Sequence, residues 1–155
     1  MGTLPDYAAR TFLLIDDETF MLGLVDRILQ QCKAGKVLRA SNGASALAMF
    51  NGNIGKVDCI VADLHMKPMN GLELLKAIRT GVGKRIPRDQ RVIMLTGDKD
   101  RDAIQAAGEL DINGYVLKPV SPENLTTALD KALSRSSNLK SADDYHAVQL
   151  PEISA

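Results

Sequence analysis

The sequence predicts an α/β domain, in which a five-stranded parallel sheet is doubly wound with helices on both faces. Five short runs alternate along the chain with five longer segments in which apolar residues recur every three or four positions. Three of the short runs, at 11–15, 57–62 and 91–95, are apolar at almost every position. Such runs are typical of strands buried on both faces of a parallel sheet. Strands that alternate with helices favour right-handed crossovers, so the chain is expected to fold as (βα)5.

The elements follow one another at regular intervals. The predicted strands span 11–15, 36–40, 57–62, 91–95 and 112–117. The predicted helices span 20–32, from Asn42 to residue 50, from Pro68 or Asn70 onward, 99–108, and from Ser121 onward. Asn42 and Ser121 are favourable N-caps, because their side-chain oxygens can accept hydrogen bonds from the first turn, and Pro122 suits the first helical position.

The predicted helices differ in the apolar surface that they can bury. The first and last helices have clear apolar stripes, which indicate packing against the sheet. The helix at 99–108 is short, rich in alanine and weakly amphipathic. That composition suits an element of low local stability.

The composition limits the classes of function. The chain has 155 residues, enough for one domain with a substantial core. Nineteen basic residues balance nineteen acidic ones, which favours neither nucleic acid nor an anionic membrane as a partner. We expect a lead-in at 1–9, the domain at 10–136 and a flexible tail at 137–155. Cys32 and Cys59 do not have the spacing of a metal site or of a disulfide framework. The sequence shows no signal peptide and no apolar run long enough to span a membrane, so a cytoplasmic protein is expected.

Polar residues stand where four of the predicted strands end. They are Asp16 and Asp17 after the first strand, Asp63 after the third, Thr96 after the fourth and Lys118 after the fifth. Each residue alone would be explained by a turn or a helix cap, but the ends of parallel strands meet at one edge of a sheet, where ligands bind. Clustered carboxylates need a cation, and Mg²⁺ prefers carboxylate, water and phosphate oxygens. The cluster therefore predicts a site that stabilises a phosphoryl group on Asp63, with Mg²⁺, Thr96 and Lys118 around it.

The same positions resemble the motifs of a known family. They are Asp16-Asp17, Asp63-Leu64-His65-Met66, Met69-Asn70-Gly71, Thr96-Gly97, and Tyr115 with Lys118-Pro119. Over residues 10–135 the chain resembles the receiver domain of bacterial two-component response regulators, of the single-domain chemotaxis-regulator type. That resemblance implies a flavodoxin-like fold with strand order 2-1-3-4-5.

The resemblance also implies a function. The protein would be a stand-alone response regulator, in which Asp63 accepts a phosphoryl group from a sensor histidine kinase or a histidine phosphotransfer protein. Asp17 and Asp63 would bind Mg²⁺ directly, Asp16 would bind it through water, and the backbone carbonyl of His65 would complete the protein ligands. The chain would not be an enzyme beyond assisting its own phosphorylation and dephosphorylation.

A conformational switch is a further implication of the resemblance. Thr96 and Lys118 would bind the phosphoryl oxygens, and Thr96 and Tyr115 would move to change the face formed by the fourth helix, fifth strand and fifth helix. That face would control a protein partner, or the phosphoryl group would pass onward in a phosphorelay. The expected state is a monomer or a phosphorylation-dependent dimer, with no nucleic-acid or membrane partner.

Some residues depart from the usual pattern of the family. Lys67 stands where proline is usual, four residues after the acceptor, and the proline follows at Pro68. Asn70 replaces the usual Asp before Gly71. His65 and Asp98 occupy the positions through which the family tunes the lifetime of the acyl phosphate.

Two alternatives stay open at the level of the sequence. A degenerate receiver would act as a phosphorylation-independent binding module, which the altered loop favours and the intact acidic pair opposes. A phosphohydrolase with an Asp nucleophile, of the haloacid dehalogenase type, would need a second Asp two residues after the nucleophile. This chain has His65 at that position.

Overall fold

The computed structural model describes residues 6–83, 85–97, 99–136 and 138–153. Its strands are β1 Thr11–Ile15, β2 Lys36–Ala40, β3 Cys59–Asp63, β4 Val92–Thr96 and β5 Gly114–Leu117. They form one parallel sheet in the order β2-β1-β3-β4-β5, which confirms the predicted fold class and strand order. The helices are α1 Thr19–Gln31, α2 Gly43–Asn51, α3 Gly71–Arg79, α4 Arg101–Glu109, α5 Pro122–Ser134 and α6 Ala142–His146. Within the described ranges, no helix is long and apolar enough to cross a bilayer.

Both faces of the sheet are covered, because successive strand residues point to opposite sides. On one side, Phe12 and Leu14 of β1 pack in a cluster with residues of α1 and α5. On the other side, Leu13 and Ile15 pack in a cluster with residues of α2, α3 and α4. The two clusters leave the central strands buried on both faces, which is why their sequences are apolar without alternation.

Polar side chains fix where the helices begin. Asn42 accepts a hydrogen bond from the backbone N–H of Ser45 at 2.8 Å, and Ser121 caps α5. At the start of α3 the cap is Asn70 rather than Pro68. Asn70 accepts from the N–H of Glu73 at 2.9 Å, and its own N–H donates to the Glu73 carboxylate at 3.1 Å. Asn70 therefore still caps the helix although the family usually has Asp there.

The start of the chain differs from the predicted loose lead-in. Tyr7–Ala9 forms a short 3-10 helix, and residues 1–5 lie outside the described part of the chain. The Tyr7 hydroxyl donates to Asp130 on α5 at 2.8 Å, and the Tyr7 ring lies 5.6 Å from the ring of Phe12. One aromatic side chain thus attaches this segment to the domain, a tertiary contact that no local pattern indicates.

The end of the chain differs from the predicted flexible tail. Residues 138–153, which we call the C-terminal strap, include α6 and pack against the cluster on the α3 and α4 side. Tyr145 of α6 is fully buried, and the partly buried Leu139, Val148 and Leu150 pack against the same cluster. The strap returns to the domain because it carries apolar side chains at intervals, too widely spaced to show helical periodicity in the sequence.

Candidate functional site

Three carboxylates meet at the C-terminal edge of the sheet. Asp16 and Asp17 follow β1, Asp63 ends β3, and one oxygen of each lies within 4.8 Å of the others. Asp16 and Asp63 are buried, whereas Asp17 is exposed. β1 and β3 are adjacent, with Ile15 opposite Ala62, so that the chain leaves both strands at the same level. The structure therefore brings together the three acidic residues that the sequence placed at strand ends.

Burial makes this cluster costly in its charged form. Burial raises the pKa of Asp16 to about 6, against the opposing effect of a hydrogen bond from the Glu18 amide at 2.9 Å, and the charge of Asp63 raises it further. Burial likewise raises the pKa of Asp63. Asp16 Oδ2 is buried and accepts no hydrogen bond from the described residues. A buried oxygen without a donor, beside two more carboxylates, fits a hard divalent cation such as Mg²⁺.

Lys118 supplies the positive charge of the site. Its Nζ lies 2.8 Å from Asp63 Oδ1, in an ion pair without the geometry of a regular hydrogen bond. Burial alone would lower the pKa of Lys118, but the contact with Asp63 and the charges of Asp63 and Asp16 raise it. The backbone N–H of Lys118 donates to the carbonyl of Thr96 at 2.8 Å, which fixes the end of β5 beside the end of β4.

Thr96 is the last residue of β4, and its buried hydroxyl donates to Asp100 Oδ2 at 3.0 Å. The same oxygen accepts from the N–H of Gly97 at 2.9 Å and lies 3.1 Å from His65 Nε2. Burial alone would raise the pKa of Asp100, but these bonds from His65, Gly97 and Thr96 lower it. The sequence pattern did not point to Asp100, because an Asp at the start of a helix is most simply explained as an N-cap.

Three further residues were predicted to belong to the site, Tyr115, His65 and Asp98. The side chain of Tyr115 on β5 is 48% exposed. His65 lies in the loop after β3 with its ring on Asp100, as described above. Asp98 lies outside the described residues.

Gly71 allows α3 to begin directly against the end of β3. A Cβ at this position would lie 2.8 Å from the carbonyl oxygen of Asp63 and 3.1 Å from the Cα of Leu64. The N–H of Gly71 donates to the carbonyl of Leu64 at 3.0 Å. Any larger residue would push the helix away from β3, so the close approach explains the glycine after Asn70.

Comparison with known proteins identifies the family. Residues 12–130 match the family model of the response regulator receiver domain. The chain belongs to this family. The chemotaxis protein CheY of Pseudomonas aeruginosa is 32% identical over 124 residues, covering 79% of this chain and 95% of that protein. CheY-3 of Vibrio cholerae is 33% identical over 124 residues, covering 79% of this chain and 91% of that protein.

Solved receiver structures agree with the fold. CheY4 of Vibrio cholerae superposes with a TM-score of 0.68 at 27% identity, covering 80% of this chain and 98% of that one. A receiver domain protein of Clostridium thermocellum has a TM-score of 0.68 at 31% identity, covering 80% and 94%. The C-terminal strap follows the residues 12–130 that match the receiver family model.

Proposed function

We propose that this receiver acts as a response regulator, which is phosphorylated on Asp63 and thereby changes its affinity for a protein partner. The observation that supports this most is the pairing of a buried acceptor with a cation. Asp63 is one of three clustered carboxylates, and Lys118 Nζ is 2.8 Å from one of its oxygens. A carboxylate nucleophile, a metal-binding cluster and a phosphate-binding ammonium are the parts that phosphoryl transfer needs.

The proposed reaction is an in-line transfer from a phosphohistidine. A carboxylate oxygen of Asp63 bonds to phosphorus while the bond from phosphorus to the histidine nitrogen breaks. The electron pair of that bond stays on the nitrogen, which takes up a proton. The donor is a sensor histidine kinase or a histidine phosphotransfer protein in the cytoplasm. Lys118 would move from the carboxylate to a phosphoryl oxygen, as its position beside Asp63 allows.

The metal site would use the acidic cluster. Asp17 and Asp63 would bind Mg²⁺ directly, Asp16 through water, and the His65 carbonyl would complete the set. Bound Mg²⁺ supplies charge neutralisation for the phosphoryl oxygens. The orphaned buried oxygen of Asp16 supports this assignment, since its lone pairs have no donor among the described residues.

The proposed switch links Thr96 to an exposed apolar face. The Thr96 hydroxyl would leave Asp100 for a phosphoryl oxygen, and Tyr115 would move inward toward the vacated space. Tyr115 and Leu117 share one side of β5, which lies at the edge of the sheet, and are 48% and 43% exposed. With α4 and α5 they would form the face that binds the partner or allows the phosphoryl group to pass onward. Phosphorylation would act by stabilising the conformation that contacts it.

Intact mass measures the proposed modification. Incubation with acetyl phosphate and Mg²⁺ is expected to add one phosphoryl group, about 80 Da, to the wild type and to Asp89→Asn, whose carboxylate is exposed and lies before β4. Asp63→Asn is expected to gain none. Lys118→Met is expected to lower the rate at which the adduct forms, and Thr96→Ala is expected to shorten the lifetime of the adduct. Each variant loses a group that would bind the phosphoryl oxygens.

The alternatives predict different results in the same experiment. No adduct and no donor hydrolysis, with Mg²⁺ still bound, would contradict the proposal and favour a phosphorylation-independent binding module. Sustained hydrolysis by Asp63 without an adduct would indicate a short-lived acyl phosphate. The hydrolase alternative has less support, because the position that needs an acid is His65, whose ring contacts Asp100.

A further inference from the structure

Asp100 lies at the N-cap position of α4 but does not cap it. Its side chain makes no hydrogen bond to the first turn of the helix, although Asp is a favoured cap residue. Its Oδ2 atom instead accepts from Thr96 Oγ1 and the N–H of Gly97 and lies 3.1 Å from His65 Nε2. The carboxylate has therefore turned away from its own helix and toward the residues beside the acceptor.

This arrangement places Asp100 in competition with a phosphoryl group. The Thr96 hydroxyl and the Gly97 amide each have one proton, so each donates fully to only one acceptor at a time. A phosphoryl oxygen on Asp63 could bind Thr96 only if the bond to Asp100 breaks. Both acceptors are negatively charged, and their repulsion at short range also opposes occupation of the site.

We propose that Asp100 is a positioning residue that holds Thr96 and Gly97 in the resting conformation and so opposes the phosphorylation-dependent switch. The inference rests on the proposed function and adds a residue that the family motifs did not indicate. His65 Nε2, 3.1 Å from Asp100 Oδ2, would remain a partner of the carboxylate when Thr96 leaves. Asp100 would thus stabilise the resting state, and its carboxylate would still have a hydrogen-bond partner in the switched state.

Beryllofluoride, a non-covalent mimic of the phosphoryl group, tests the inference at equilibrium. Its affinity in the presence of Mg²⁺ would be measured by calorimetry. Asp100→Ala is expected to bind about tenfold more tightly than wild type, because binding no longer breaks a charge-assisted hydrogen bond. Asp100→Asn is expected to lie between the two. The control is Asp89→Ala, which removes an exposed carboxylate from the loop before β4, away from this pocket.

The possible outcomes separate this inference from the proposed function. Equal effects of Asp100→Ala and Asp89→Ala would show that only net charge matters and would overturn the role of Asp100. Weaker binding by Asp100→Ala would also overturn it, since Asp100 would then assist the bound state. Failure of the wild type to bind beryllofluoride with Mg²⁺ would instead contradict the proposed function itself.

A second inference concerns the C-terminal strap and rests on other contacts. The Tyr145 hydroxyl donates to Asp111 Oδ2 at 2.6 Å and accepts from the N–H of Lys140 at 3.0 Å. Lys76 on α3 donates from Nζ to the carbonyl of Val148 at 2.6 Å. The ring of Tyr145 is buried, so the strap is attached by packing and by polar contacts to both α3 and the loop before β5.

The last part of the strap lies beside the proposed switch. Residues 151–153 line a pocket of about 540 Å³ together with Asp100, Lys118 and the start of α4. Residues 149–151 and the outer side of α4 line the neighbouring depression. The buried side of α4 consists only of Ala103, Ala106 and Ala107, which fill little volume. The strap therefore adds contacts to a helix that its own side chains hold weakly.

We infer that the strap is an intramolecular regulator, which stabilises the resting position of α4 and loosens when Asp63 is phosphorylated. This inference also rests on the proposed function. The strap end shares its pocket with Asp100 and Gly97, so the movement of Thr96 and Gly97 changes the surface on which it lies. If the strap favours the resting state, the coupling is reciprocal, and the phosphoryl group must weaken strap binding by the same factor.

Hydrogen exchange and binding together test the coupling in the full chain. Beryllofluoride with Mg²⁺ is expected to speed amide exchange in 138–153. Tyr145→Phe and Lys76→Met are each expected to raise beryllofluoride affinity by about fivefold. Tyr145→Phe loses both hydrogen bonds of the hydroxyl, and Lys76→Met loses the bond to the Val148 carbonyl. The control is His146→Gln, an exposed strap residue that is expected to change nothing.

Two results would overturn the regulatory strap. One is bound beryllofluoride with unchanged exchange in 138–153, which would show that the strap binds both states equally. The other is an affinity in Tyr145→Phe and Lys76→Met that matches the His146→Gln control. Neither result would affect the proposed phosphorylation of Asp63, which the wild-type binding measurement tests separately.

Discussion

At the scale of single residues, Arg79 shows how much of the fold depends on one buried cation. Its side chain is almost fully buried, and no carboxylate in the described part of the chain pairs with it. Five acceptors surround the guanidinium instead: the carbonyls of Arg88, Gln90, Leu110 and Asp111, and Oδ1 of Asn113. Arg79 thus ties the end of α3 to the segments that lead into β4 and β5.

Arg79→Lys is expected to lower the free energy of unfolding by about 3 kcal/mol, because an ammonium group has three donors and would leave buried carbonyls without partners. Urea unfolding followed by circular dichroism measures the change. Arg27→Lys, at an exposed position on α1, serves as the control and should be neutral. A loss in Arg79→Lys no larger than in Arg27→Lys would contradict the structural role of the guanidinium.

Asp16, unlike Arg79, lowers the stability of the fold when no metal is bound. Its folded pKa is about 6, above the ordinary value of 3.8. Folding therefore disfavours the charged carboxylate above about pH 6, and this penalty disappears below about pH 4, where Asp16 is protonated in both states. Without Mg²⁺, Asp16→Asn is expected to be more stable than wild type by about 2 kcal/mol near pH 7.

The pH dependence distinguishes this effect from a general gain in stability. The advantage of Asp16→Asn in urea unfolding should shrink as the pH falls from about 6 to about 4. Asp17→Asn, at the exposed neighbour, should show no comparable gain. An advantage that is constant with pH would mean that the buried charge of Asp16 is not its source.

At the scale of elements, α3 and α4 differ in the packing that holds them. The buried side chains of α3 include Leu72, Leu74, Leu75 and Ile78, whereas α4 buries only alanines. Amide exchange in α4 is expected to be about tenfold faster or more than in α3, since less apolar surface must be exposed to open it. Exchange measured by mass spectrometry on peptides from the two helices, within one sample, makes the comparison. Equal protection would contradict the view that α4 is the weakly held element.

The elements also show what the sequence could and could not predict. The strand and helix positions followed from apolar periodicity and caps, and Asn42 and Ser121 cap helices as predicted. The short helix α6 was missed because five residues give no periodic signal. The position of the strap depends on tertiary contacts of Tyr145, which local patterns do not contain.

The sequence likewise predicted one part of the candidate site and missed another. Parallel strands predicted that Asp16, Asp17, Asp63 and Lys118 would meet, because the direction of the strands fixes which ends lie together. The orientation of a side chain is not fixed by topology. Asp100 was therefore overlooked, since an N-cap and a hydrogen-bond acceptor for Thr96 look identical in the sequence.

At the scale of the whole molecule, the charged cluster and the exposed apolar side chains lie at different edges of the sheet. The C-terminal edge collects the carboxylates, Thr96 and Lys118, while the exposed side chains of Tyr115 and Leu117 lie on edge strand β5. The strap covers the side of α3 and reaches the pocket beside Asp100. In our proposal a charge placed on Asp63 acts on both the β5 face and the strap through Thr96 and α4.

Locating the phosphoryl group within the chain tests this account most directly. After incubation with acetyl phosphate and Mg²⁺, sodium borohydride would reduce the acyl phosphate in two steps. One hydride adds to the acyl carbon as phosphate leaves, and a second hydride, with a proton from water, reduces the resulting aldehyde to the alcohol. Peptide mass spectrometry is expected to find homoserine at position 63 and an unmodified Asp16 and Asp17. Reduction at Asp16 or Asp17, or a phosphoryl group found on His65, would contradict the assignment of Asp63 as the acceptor.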